Sequence, residues 1–105
     1  VVKIMYIRNI YYKPVGCLAM DINNNTIHYQ ISTQNPADKW NKKLARTIAL
    51  ARLDNKSFVI PNVDTTNHSK ILNLIMNDLV KNYKTLNIPK RIVECAKYWL
   101  DMPFF

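Results

Sequence analysis

The stretch Ile31–Leu53, "ISTQNPADKWNKKLARTIALARL", decides how the chain is built. On its N-terminal side apolar residues alternate with polar ones, and on its C-terminal side they recur with the spacing of a helix. The change falls at Asn35, which reads as a helix N-cap, with Pro36 at the first helical position and Asp38 three residues after the cap, near the positive end of the helix dipole. The helix is expected to run to about Leu53, stopped by Asp54-Asn55.

Before this junction, residues 1–33 read as β structure. "VVKIMYIR" and "VGCLAMDI" are β-branched and apolar runs, and "TIHYQIS" alternates with Ile27, Tyr29 and Ile31 on one side. The asparagines at 23–25 predict a tight hairpin between the second and third runs. After the junction, "SFVI" at 57–60 is a short fourth strand. Ile71, Leu72, Ile75, Leu79 and Tyr83 then mark a second helix, with His68 in its start. A last helix begins near Pro89 with Ile92, Cys95, Ala96 and Trp99 turned inward. Strands first and helices after define an α+β class: an N-terminal antiparallel β-meander followed by about three α-helices packed on one face of the sheet. The 105 residues, without repeats or linkers, form a single domain, 1–105, expected to bind an anion or nucleotide.

The charge balance narrows the partner. Fifteen Lys and Arg against seven Asp and Glu give a net charge of +8, more than solubility requires, which favours an anionic partner: nucleic acid, a nucleotide, an acidic protein or a membrane surface. No segment reads as membrane-spanning or as a signal peptide. Cys17 and Cys95 stand far apart in apolar contexts, fitting neither metal nor redox spacing, and point to a reducing, intracellular setting. The missing initiator Met suggests a removed tag or a start inside a longer product, and the heavy use of Asn, Ile and Lys suggests a low-GC bacterium or its virus.

Within the junction helix, Trp40, Leu44, Ile48 and Ala51 fall on one stripe expected to face the sheet, with Ala37 beside it, while Lys39, Lys42, Lys43 and Arg46 gather on the other side as an anion platform. They read equally as a solvated basic face. Arg52 lies at the margin of the buried stripe, where it must snorkel or meet an acceptor. It suits a phosphate or carboxylate, and an Asp54 or chain-terminal contact reads as well. Arg46 and Arg52 together fit a subunit interface or a pocket rim. Tyr11-Tyr12 with Arg8 and Lys13 form a strand-end cluster able to stack a base, and Lys90 and Arg91 sit in the first turn of the last helix, where anions are favoured. One glycine in the chain speaks against a phosphate loop, no His, Cys and carboxylate set has metal-ligand spacing, and no nucleophile has an evident base. His28 reads as a strand residue facing solvent. Neither catalysis nor a cofactor is expected.

"KPVGCLAMDI" and "YQISTQNPADKWNKKLARTIALARL", covering about residues 13–53, resemble small phage and prophage proteins of the type-one Thoeris anti-defence family. The shared pattern is a Pro-Val-Gly-Cys strand, a hairpin, and an Asn-Pro-x-Asp-x-aromatic-x-Lys-Lys-x-x-Arg-x-Ile-Ala-x-x-Arg-Leu helix. The family carries Gly before each of the two arginines, where this chain has Ala45 and Ala51. The resemblance implies a sponge without catalysis, which sequesters a cyclic ADP-ribose isomer made as an immune signal, and in some members cyclic oligonucleotides. It further implies a homodimer or higher homo-oligomer enclosing ligand between protomers, in the cytoplasm of the infected bacterial host. Lys43, Arg46 and Arg52 match the helix pattern, with Asn35 and Asp38 as helix-start structure. Arg8, Tyr83 and Arg91 complete the expected ligand-binding set on chemical grounds. The alternatives are a small nucleic-acid-binding module using the lysine face, and a phage inhibitor docking on an acidic host protein.

Overall fold

A computed structural model describes residues 2–35, 37–61, 63 and 67–101. Three strands, β1 (Val2–Arg8), β2 (Pro14–Asn23) and β3 (Thr26–Thr33), precede α1 (Lys42–Asn55). A short β4 (Phe58–Ile60), α2 (His68–Leu86) and α3 (Lys90–Asp101) follow. The sheet is an antiparallel meander in the order β1-β2-β3-β4. The expected hairpin is present: Asn23 faces Thr26, and Asn24 and Asn25 take φ of 51° and 57°, the left-handed pair that a two-residue turn of this hand requires. Asparagine tolerates that conformation by bonding locally through its side chain.

The α+β order is as the sequence implies, but the helices divide between the two faces of the sheet instead of sharing one. Leu18 and Met20 of β2, with Ile27, Tyr29 and Ile31 of β3, join the core formed with α2 and α3. Cys17 and Ala19, on the alternate residues of the same strand, pack against Ala45, Ala49 and Leu53 of α1. The run "VGCLAM" has no polar member, so both of its faces need cover, as in a strand buried on two sides.

The structure starts α1 at Lys42, six residues later than the sequence reading. Asn41 is the cap: its Oδ1 accepts the Leu44 N–H at 3.0 Å. Asn35 instead closes a local turn, its Oδ1 accepting the Ala37 N–H at 3.0 Å, and Asp38 is outside the helix. Pro36 lies outside the described residues. Gln34 ties this connection to the end of β3, accepting the Asn41 N–H at 3.0 Å and donating to the Lys39 carbonyl. The buried stripe is Ala45, Ala49 and Leu53, not Leu44, Ile48 and Ala51, and Leu44 is 53% exposed. A stripe count favours large apolar residues, but close approach of a helix to Cys17 and Ala19 selects small ones. The buried Ser32 hydroxyl fixes that approach by donating to the Ala45 carbonyl at 2.6 Å.

On the other face α2 is capped by Asn67 and ends at Asn87 in the left-handed conformation, and it buries Ile71, Leu72, Ile75, Met76 and Leu79. The Tyr29 hydroxyl donates to Asp78 at 2.5 Å, and Asn82 donates to the other oxygen of that carboxylate at 3.0 Å. Burial, then this carboxylate, hold the phenol protonated far above its ordinary range. α3 buries Ile92, Val93, Cys95 and Ala96.

Gly16 is where β2 and β3 come closest to intolerance. A Cβ there would stand 2.7 Å from the Ser32 carbonyl oxygen. Gly16→Ala is therefore expected to cost about 1–3 kcal/mol, read from denaturant midpoints. An unchanged midpoint would show that the two strands separate freely at this point.

Candidate functional site

The face of the sheet covered by α1 carries the basic platform. β1 contributes Tyr6, and Trp40, just ahead of the Asn41 cap, meets that ring edge-on with centroids 6.2 Å apart. Lys42, in the first turn of α1, holds its Nζ 5.1 Å from the Tyr6 centroid. Lys43 and Arg46 are exposed, and no acid stands in the first turn of α1. Because Ala45 and Ala49 take the buried side, Lys42 and Arg46 are turned to the margin beside β1 and β2. The positive charge of Arg46 is felt at Cys17: burial pushes that thiol up, and Arg46 pulls the other way.

Arg52 does something else. Its Nη1 donates to the Ile31 carbonyl at 3.0 Å, while Gln30 Oε1 accepts the Ile31 N–H at 2.9 Å. β4 pairs only with Ile27–Tyr29, so the main chain of β3 at Ile31 lies past the end of its neighbour. Arg52 and Gln30 satisfy that edge with side chains. The acceptor is thus a carbonyl of β3, not Asp54 or the chain terminus. An exposed Arg52 anchored within its own chain gives no reason to place it in a partner.

The remaining expected ligand residues are dispersed. Arg91 donates to the Gln34 carbonyl at 3.1 Å, which brings the start of α3 to the same end of the sheet as the start of α1. Arg8 donates to the Tyr12 carbonyl at 3.1 Å and lies 4.7 Å from the centroid of that ring, at the end of β1. Tyr83 is half-buried against the α2–α3 core, with Lys84 Nζ 6.0 Å from its centroid. Lys42 therefore shares a site with Tyr6 and Trp40, and Lys43 and Arg46 lie exposed on the same helix. Arg91 approaches it through Gln34, and Arg8, Arg52 and Tyr83 do not join it. His28 is half-buried, with Nδ1 3.1 Å from Ser57 Oγ, not turned to solvent.

A second feature lies at the free edge of the sheet. A cavity of about 440 Å³ runs along the outer edge of β1 from Ile4 to Ile10, walled by Tyr12 and, from α3, Tyr98 and Trp99. The sequence signal was the apolar, aromatic "NIYYK" beside a strand end. Its partner wall on α3 is 86 residues further along, beyond the reach of any local pattern. Among the described residues no group of three or more His, Cys, Asp or Glu side chains could hold a metal, and no helix is long and apolar enough to cross a membrane.

No protein-family model matches the chain, and neither a curated protein nor a solved structure matches it significantly.

Burial sets the Cys17 thiol at about 11, against an ordinary 9.0. The folded chain then keeps a proton that the unfolded chain has released, so this contribution to stability is intact below pH 9 and is lost as pH rises toward 11. Denaturation of the parent and of Cys17→Ala, at neutral pH and at about pH 10.5, should show a smaller loss in the variant. The Tyr29 phenol contributes equally to both and cancels. Equal losses would mean that the thiol ionises in place.

Proposed function

We propose that this protein is a non-catalytic binder of a nucleotide-class anion. More specifically, we propose the role its sequence resemblance implies: a phage anti-defence sponge for a cyclic nucleotide immune signal, either a cyclic ADP-ribose isomer or a cyclic oligonucleotide, in the cytoplasm of an infected bacterium. One observation carries the reading: the Tyr6–Trp40 pair with Lys42 over the Tyr6 ring, beside Lys43 and Arg46, at a helix start without acids. A base needs an aromatic surface, and a diphosphate needs cations and a favourable helix dipole. Sequestration needs no general acid or base, only tight binding that leaves the ligand intact.

A single α1 face is open to solvent, so enclosure requires a second copy. A homodimer packed across α1 would bury Leu44, which one chain leaves 53% exposed, and would close the site over Lys43 and Arg46. The same openness favours the nucleic-acid reading, in which Lys39, Lys42, Lys43 and Arg46 follow a phosphate backbone. Salt separates the two readings, because backbone contacts release counterions and weaken steeply with ionic strength.

The test is a thermal-shift panel in moderate salt with ADP-ribose, its cyclic isomers, cyclic di- and trinucleotides, and a short DNA. At a hundredfold excess over Kd a true ligand stabilises by about 2.7 kcal/mol, an upward shift of roughly 10 °C or more for a domain of this size. Arg46→Glu should weaken binding by about tenfold or more, and the ligand should be recovered unchanged after denaturation. A shift with DNA alone that vanishes with salt would establish the nucleic-acid module. No shift at all would leave docking on an acidic host protein.

A further inference from the structure

We infer that the outer edge of β1, with the cavity beside it, accepts an extended, acid-ended segment of a partner protein as a fifth strand of the sheet. β1 ends the strand order, and among the described residues no strand lies beyond it. Its outward main-chain N–H and C=O groups are therefore a template for pairing. The cavity is lined by consecutive residues from Ile4 to Ile10, so it opens along the edge of the backbone, not on one face of the pleat. Met76, Cys95, Tyr98 and Trp99 form its far wall, and Tyr98 is 42% exposed. A backbone ladder on one side and an apolar wall on the other are what strand addition uses, the ladder for affinity and the pockets for side-chain choice.

Charge identifies the occupant. Sheet edges are commonly guarded by a charge or a proline in mid-strand. β1 has neither: its middle, Ile4–Ile7, is apolar, and its exposed cations, Lys3 and Arg8, stand near the two ends with no acid in the strand. A segment with apolar alternate residues and a carboxylate at each end matches this layout. A second β1 does not, since it would add two more cations to a ladder without an acid. The inference rests on the main-chain edge of β1 and the α3 wall, whereas the nucleotide reading rests on the Tyr6 and Trp40 rings with the α1 cations; Tyr6 is the one residue common to both.

The probe is a capped hexapeptide, EVTVTE, whose two carboxylates fall on opposite faces of the strand as Lys3 and Arg8 do, labelled for fluorescence anisotropy with the full chain, with amide spectra recorded in parallel. Binding should shift and protect the β1 amides that face away from β2. KVTVTK, or Arg8→Glu against the original peptide, should weaken binding by about tenfold or more. Methylating the peptide nitrogens of either the valines or the threonines must abolish binding in one of the two cases, because only one set faces β1. The proposal is overturned if EVTVTE fails to bind at millimolar concentration, if the β1 amides do not move, or if both methylated peptides bind like the parent. It is also overturned if the β1 amides become protected with rising protein concentration and no peptide, which would assign the edge to a second copy. Because the readout is at β1, failure here leaves the thermal-shift result untouched.

Discussion

Everything in this fold answers to one constraint: β2 has no polar side chain between Pro14 and Met20, so neither of its faces can meet water. Leu18 and Met20 present bulk on one side and gather α2 and α3. Cys17 and Ala19 present almost none on the other, and there a helix must come close to exclude solvent. α1 does so with Ala45 and Ala49, held by the Ser32 hydroxyl on a main-chain carbonyl. On the opposite face Gly16 has no room for a Cβ, which would meet the Ser32 carbonyl oxygen beside Ile7 and Ile92.

The position of the cations follows from that contact. With alanines on the buried side, Lys42 and Arg46 are turned toward β1 and β2, not straight out to solvent, and Lys42 meets an aromatic ring. Desolvation and charge oppose each other at Cys17, where burial outweighs the pull of Arg46. A basic helix that the sequence shows as a charged face sets, in the fold, one cation over the Tyr6 ring and leaves Lys43 and Arg46 exposed along the same helix.

The two edges of the sheet are managed differently. Beyond the three-residue β4, Arg52 and Gln30 occupy the main chain of Ile31, so a conspicuous arginine is spent on the strand edge. At the opposite edge β1 keeps its apolar middle beside a cavity. An unguarded edge invites pairing, and the uneven treatment of the two is why β1 reads as a docking surface.

By itself the sequence determined the class, the order of elements and the asparagine hairpin, because alternation, helical spacing and left-handed turn residues are local signals. It also marked Lys43 and Arg46 as neighbours, since helix geometry alone places them together. The start of α1 was less legible: Asn35 and Asn41 are both capping residues, and the choice was made by Gln34, which binds the Asn41 main chain from the end of β3. Which helix covers which face, which stripe of α1 is buried, and what Arg52 bonds were decided only by the tertiary structure. Each depends on the shape a distant segment presents, whether the small residues on β2 or the short reach of β4, and such shapes have no period along the chain.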